Sequence, residues 1–208
     1  MMTFTKAQLA APLACAAVKD VRYYLEGVLL EGVLLEVTRT GDVHLVGTNG
    51  ACLFAGLIAA PNVQWTDTPQ AGPWQMIIPA ATIKAALKEC KGIVELRALP
   101  NGRYTLGSQV FTPVDGRYPD WRRIVPSAAI LDARGEKPAQ FDPDLLVKCR
   151  DALKHWHNGG PKFAAHLHAH ETQAAVMTGA DMTGFCVIMP WRTNDNTVRP
   201  FTPAGYGA

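Results

Sequence analysis

The chain has little net charge and no local cysteine pattern, and both absences narrow the function. Twenty basic residues face 18 acidic ones among 208, a formal charge of +2. A strongly basic nucleic-acid binder is thereby excluded, and any DNA contact must come from local patches. The five cysteines, Cys15, Cys52, Cys90, Cys149 and Cys186, are scattered, odd in number and lack any Cys-x-x-Cys pair. They read as reduced, mostly buried thiols of a cytoplasmic protein. No apolar run approaches the roughly 18 residues that span a bilayer. Leu9 to Ala17 is the nearest thing to a secretory segment, but its leading charge is thin and Pro12 interrupts it. No Gly-x-Ser-x-Gly, phosphate loop or paired catalytic carboxylates occur at motif spacing. An enzyme is not expected, nor a cofactor.

Hydrophobic residues make up 48% of the chain, enough for a real core. The element order repeats. A strand at Thr3 to Thr5 leads into a helix from Lys6 to about Val18, opened by a Thr5/Gln8 capping box. Strand-like segments follow at Asp20 to Thr40, Asp42 to Thr48 and Cys52 to Ala59, with Gly27 and Gly32 as bulge candidates and Asn49-Gly50 as a turn. After a Pro-containing connection, Trp74 to Ile78 is a strand and Pro79 to Lys91 a helix. Gly92 to Leu99, Arg103 to Leu106 and Gln109 to Val114 are strands. The order restarts a third time. Ala139 to Phe141 is a strand, Asp142 and Pro143 open a helix to about His157, and Lys162 to Ala169, Thr172 to Thr178 and Gly184 to Met189 are strands. Three β-α-β-β-β units of about 65–75 residues signal an α+β repeat array. Each is amphipathic and cannot bury its own face alone.

Two polar groupings carry candidate chemistry. Lys84, Lys88 and Lys91 share one face of the second helix, and Lys148, Arg150 and Lys154 crowd the third. They read either as the wet side of amphipathic helices or as sequence-independent phosphate contacts. His166, His168 and His170 alternate on one strand, with His155 and His157 upstream. Imidazoles two apart can ligate zinc, but Glu171 is the sole nearby carboxylate. The solvated strand face is therefore preferred, and no metal site is expected.

Val114 to Pro126 is unusual for a loop. Asp115-Gly116 turns it, Pro119 stiffens it, and aromatics alternate with arginines. This segment resembles the Asp-Gly-Arg-Phe-Pro-Asp-Tyr-Arg-Arg-Val-x-Pro stretch of the bacterial sliding clamp, the beta subunit of DNA polymerase III. Three further segments resemble that family in the same order. These are Asp20-Val21-Arg22-Tyr23-Tyr24-Leu25-x-Gly27-Val28-Leu29-x-Glu31, Val46-Gly47-Thr48-Asn49-Gly50-x-x-Leu53 and Val187-Ile188-Met189-Pro190-Trp191-Arg192. The resemblance covers about Phe4 to Arg192 and implies the DNA-clamp fold.

Mapped onto the family, residues 1–126 match its middle domain and 139–195 the second half of its last domain. A linker is expected at 127–138 and a loose tail at 196–208. The chain thus reads as a shortened clamp, with a phage or mobile element as the expected origin. The resemblance implies a groove for clamp-recognition peptides of a polymerase or loader. Its lining would be Leu25, Thr48, Gly50, Leu53, Pro119, Arg123, Ile124, Val187, Ile188, Met189, Pro190 and Trp191. It implies a processivity factor on double-stranded DNA, a cytoplasmic homo-oligomer with the ring as one form. The alternative is a non-encircling module that competes for the same peptides, and a remoter one is a His-rich metalloprotein. The third repeat carries Leu145, Leu146, Cys149, Leu153 and Trp156 on its helix with no sister repeat beside it in the chain. The expectation is an uncovered apolar face that pairs with the same repeat of a second chain.

Overall fold

The computed structural model describes residues 1–17, 31–62, 73–127, 140–160, 163–169 and 173–191. Strand β1 (Met2–Thr5) runs into helix α1 (Lys6–Cys15), and strands β2 (Gly32–Val37), β3 (Val43–Thr48) and β4 (Cys52–Ile58) complete the first repeat. The second holds β5 (Trp74–Pro79), α2 (Ala80–Glu89), β6 (Ile93–Ala98), β7 (Tyr104–Leu106) and β8 (Gln109–Phe111). The third holds α3 (Pro143–Trp156), β9 (His166–His168), β10 (Ala175–Thr178) and β11 (Gly184–Ile188). The expected opening strand of this repeat is absent at Gln140 and Phe141, and Ala139 lies outside the described residues.

Local chemistry explains the helix starts. Thr5 Oγ1 accepts from the Gln8 amide at 3.1 Å and Gln8 Oε1 accepts from the Thr5 amide at 2.8 Å, so the expected capping box forms. Asp142 caps α3, accepting from the Asp144 amide at 2.9 Å, and Pro143 takes the first turn, where a missing amide costs nothing. Pro12 stays inside α1, and its carbonyl accepts from Ala16 at 3.0 Å. That carbonyl lies against β3. A Cβ on Gly47 would sit 1.9 Å from it, so only glycine fits there.

The first two repeats exchange their opening strands. β1 pairs with β6 of the second repeat, and β5 pairs with β2 of the first. All pairings are antiparallel, giving a four-stranded sheet β1-β6-β7-β8 and a seven-stranded sheet β5-β2-β3-β4-β11-β10-β9. Helices α1 and α2 pack against the sheets through a shared core that includes Leu9, Ile83, Leu35, Leu45 and Ile78. Gly32 is not a bulge. Its ladder to β5 is continuous, and a Cβ there would meet Ile77 Cγ2 at 2.6 Å, so the residue permits close strand approach.

The third repeat does not wait for a second chain. β11 lies beside β4 in register, with Gly184 opposite Gly56 and Ile188 opposite Cys52. Helix α3 packs on α1 and on both strands, burying Leu145, Cys149, Ala152 and Leu153, while Leu146 and Trp156 pack at the margin. The expectation of an uncovered α3 face is corrected here. The face is covered within the chain, because the edge of β4 was free to accept it. Burial of each large side chain there is worth about 1.5–3 kcal/mol. Trp156 closes the seam. Its ring meets Phe54 at 5.4 Å in a tilted pair, its indole N–H donates to Thr183 Oγ1 at 2.9 Å, and it occupies the space that Cβ atoms on Gly56 and Gly184 would need. What remains open is the edge at β9, where all three residues are exposed.

Candidate functional site

Strand alternation divides the β4–β11 seam into two faces. Cys52, Phe54, Cys186 and Ile188 point toward the helices, whereas Leu53, Ala55, Phe185 and Val187 point outward. The Val114–Pro126 segment lies over the outward face. Tyr118 and Trp121 are buried there with Leu34, Val46, Leu53, Ile77 and Val187. The Tyr118 hydroxyl donates to the Val46 carbonyl at 3.3 Å, and burial pushes its ionisation up. Trp121 meets Phe185 at 6.3 Å and His44 at 5.6 Å. Arg122 lies 4.3 Å over the Trp121 ring and reaches Glu36 of β2 with two nitrogens, at 2.8 and 3.2 Å. The aromatics of this segment are thus closure, and what it leaves outside is Arg117, Arg123 and Ile124.

Three stretches far apart in sequence therefore meet. Leu53 is the cross-strand partner of Val187, the Met189 amide donates to the Ala51 carbonyl at 2.9 Å, and Trp121 packs in the same cluster as both strands. The Thr48–Cys52 turn is rigid. Thr48 Oγ1 donates to the Cys52 carbonyl at 2.7 Å, Asn49 Oδ1 accepts from Ala51 and Cys52, and Gly50 takes φ +87°, which favours glycine.

Of the twelve expected groove residues, Leu25 lies outside the described residues. Leu53, Val187 and Thr48 are buried supports. Ile188 faces the helix layer, under α3. Ile124, Met189 and Trp191 are exposed at 42%, 37% and 62%, with Pro119 and Pro190 half-buried and Arg123 in solvent. The exposed large apolar members of the set are therefore Ile124, Met189 and Trp191, of which Met189 is tied by its amide to Ala51 next to the Gly50 turn.

A second candidate surface is a groove of about 970 Å³ on the helix layer. Lys6 of α1, Lys88 and Lys91 beside α2, and Lys154 and His155 of α3 line it, with Asp151 as a counter-charge. Lys84 and Lys148 lie outside this lining, and Arg150 is tied to Asp151 at 2.7 Å. The expected six-residue patch is thus resolved into three lysines that share a groove and three residues that do not. Lys6 is an addition, legible only in that α1 begins with a cation.

For metal chemistry, His166 and His168 stand exposed on β9, and His170 is outside the described residues. His157 is turned inward, its Nδ1 3.1 Å from Asp181. Among the described residues the grouping of metal-type donors is instead Cys15, Cys52 and Cys149, whose Sγ atoms lie within 4.8 Å of one another. Cys186 joins them, its Sγ 3.5 Å from the Cys149 carbonyl.

Two strand-exchanged β-α-β-β-β repeats with helices on one side, extended by a third repeat through a shared sheet, define the α+β DNA-clamp fold. The crystal structure of the DNA polymerase III subunit beta from Pseudomonas aeruginosa superposes with TM-score 0.61 over 92% of this chain and 66% of that one, at 18% identity. The Helicobacter pylori beta clamp bound to a DNA ligase peptide gives TM-score 0.65 over 92% and 66%, at 10% identity. The Bacillus subtilis sliding clamp gives 0.64 over 92% and 64%, at 14% identity. No family model matches. In sequence, the beta sliding clamp of Pseudomonas putida is 32% identical over 139 residues, covering 59% of this chain. Over that stretch the chain is similar to the bacterial beta sliding clamp, and it spans about a third (32%) of the length of the curated relatives it matches.

Proposed function

We propose that this chain is a non-enzymatic clamp-like factor of DNA replication that docks a partner's recognition peptide and tethers it to duplex DNA. The observation that carries this reading is the seam. Leu53 of β4 pairs with Val187 of β11, and Tyr118 and Trp121 pack in the same cluster, which supports an apolar, proline-stiffened surface drawn from the 48–53, 119–124 and 187–191 stretches. Such a surface suits a short peptide with aliphatic and aromatic anchors, and Met189 can adapt its shape to them. The peptide bound to the Helicobacter clamp is of the ligase, so polymerase, loader or ligase tails are the partner class. Tethering works by effective concentration and needs no chemistry from the clamp.

A labelled peptide of the Gln-Leu-x-Leu-Phe type should bind at roughly micromolar Kd, about −8 kcal/mol. Met189→Asp places a charge in the apolar surface and should weaken binding at least about tenfold. Equal binding by both proteins removes this site.

On the opposite face, Lys6, Lys88, Lys91 and Lys154 supply phosphate contacts without base readout. Duplex DNA should bind weakly and be released between about 50 and 200 mM salt. Changing Lys84, Lys88 and Lys91 to Glu should abolish the mobility shift, and an unchanged shift would turn the groove away from DNA. Light scattering sorts the forms of action. A defined oligomer supports a ring built from several chains, and a monomer at tens of micromolar leaves the non-encircling competitor for the same peptides.

A further inference from the structure

Four of the five cysteines converge at one point, although they come from four elements and two repeats. Cys15 ends α1, Cys52 opens β4, Cys149 sits mid-α3 and Cys186 sits mid-β11. All four are buried, at 0–2% exposure, while Cys90 lies apart and half-buried. Thirty-seven positions separate Cys15 from Cys52, and thirty-seven separate Cys149 from Cys186. The ladder obeys the same relation. Cys52 faces Ile188 and Phe54 faces Cys186, as a local two-fold between the first and third repeats requires. Each repeat therefore presents a helix thiol and a strand thiol to the same axis.

We propose that Cys15, Cys52, Cys149 and Cys186 form a tetrathiolate site for one zinc ion, which staples the third repeat to the first. The geometry is close to what the ion needs. Zinc–sulfur bonds of about 2.3 Å in a tetrahedron place the sulfurs about 3.8 Å apart. The Cys15, Cys52 and Cys149 sulfurs already lie within 4.8 Å of one another, and Cys186 hangs over Cys149 from the neighbouring strand. Four protein ligands leave no open position, so the site is structural. Binding exchanges up to four thiol protons for one dication and leaves a charge of −2. Lys148, next to Cys149 on α3, supplies a cation in the same stretch as this charge.

The ordinary role of buried thiols is that of small apolar side chains, and oxidation to a disulfide is a second competitor. The full chain, expressed with supplemental zinc, desalted and analysed for metal, separates all three. We expect about one zinc per chain in wild type and in Cys90→Ser, and intense thiolate-to-metal bands on cobalt replacement. Cys186→Ser and, separately, Cys149→Ser should lose the metal and the cobalt bands. Stripping wild type with a chelator should speed proteolytic release of the third repeat while leaving the first two intact. Wild type with four free thiols and no zinc overturns the proposal, as does a disulfide without metal. Zinc retained in both serine variants would also overturn it by moving the ion elsewhere, for example to His166 and His168.

Discussion

The first and second repeats are joined differently from the first and third, and the contrast shows how one kind of unit can be used in two ways. Between the first two, each gives its opening strand to the other's sheet, so neither sheet exists without both. The third gives no strand away. It is held by a single ladder of five residue pairs, by α3 on α1, and by the packing around Trp156 and the cysteines. Exchange makes a joint that fails only with the whole domain. Docking makes a joint that can open by itself.

Substitutions at each joint test this. Gly32→Ala forces a Cβ against Ile77 and the Ile78 carbonyl, where β2 takes the second repeat's opening strand, and should cost about 3 kcal/mol. Denaturant unfolding should show a single lowered transition. Leu153→Ala removes a fully buried side chain of α3 and should cost about 2–5 kcal/mol, by cavity formation. The loss should appear as an early transition, with limited proteolysis freeing the third repeat first. Simultaneous loss of all structure would erase the distinction between the joints. Trp156→Glu should act at the same place, opening the seam.

A smaller effect is expected from Arg122→Ala. Its contacts with Glu36 and the Trp121 face are partly exposed, so about 1 kcal/mol is lost at most. The Val114–Pro126 cover should loosen without affecting α3, seen as earlier amide exchange at Val46 and Leu34.

The smallest concerns acid. Burial first, then Arg122, holds His44 below its ordinary range, against the pull of Glu36 and Asp42. The unfolded chain therefore takes up a proton at higher pH than the folded one. The contribution of neutral His44 is present above about pH 6.5 and is lost as pH falls below it. His44→Gln should flatten the stability profile of this sheet as pH falls below about 6.5. An unchanged profile would assign the acid response to other groups.

Much of this was legible in the sequence because it was local. The Thr5/Gln8 box, the Asp142–Pro143 start and the Asn49-Gly50 turn each follow from neighbouring residues. Met189 and Ile124 could be grouped only through the resemblance, because 65 positions of chain separate them and no local pattern links them. Strand exchange was hidden, because β1 and β5 carry the same alternation whichever sheet accepts them. The docking of β11 on β4 was hidden for the same reason, and the α3 face was read as bare. Ile188 shows the cost of a motif without a register. It lies within the apolar segment but points away from the outer face. The cysteine cluster left one trace, the equal spacing of its two pairs, which no local pattern would flag.

The β4–β11 ladder also sets a timetable for synthesis. Cys52 and its partner Ile188 are separated by 136 residues, and β1 must wait for β6. At about 5–20 residues per second, the β4 edge is made roughly 7–27 s before the strand that covers it. During that interval Leu53, Phe54 and Ala55, paired only with β3, present an open strand edge that is apolar on both faces. A nascent chain stalled there would be a preferred client for chaperones, and slower translation of the last repeat should raise aggregation rather than relieve it.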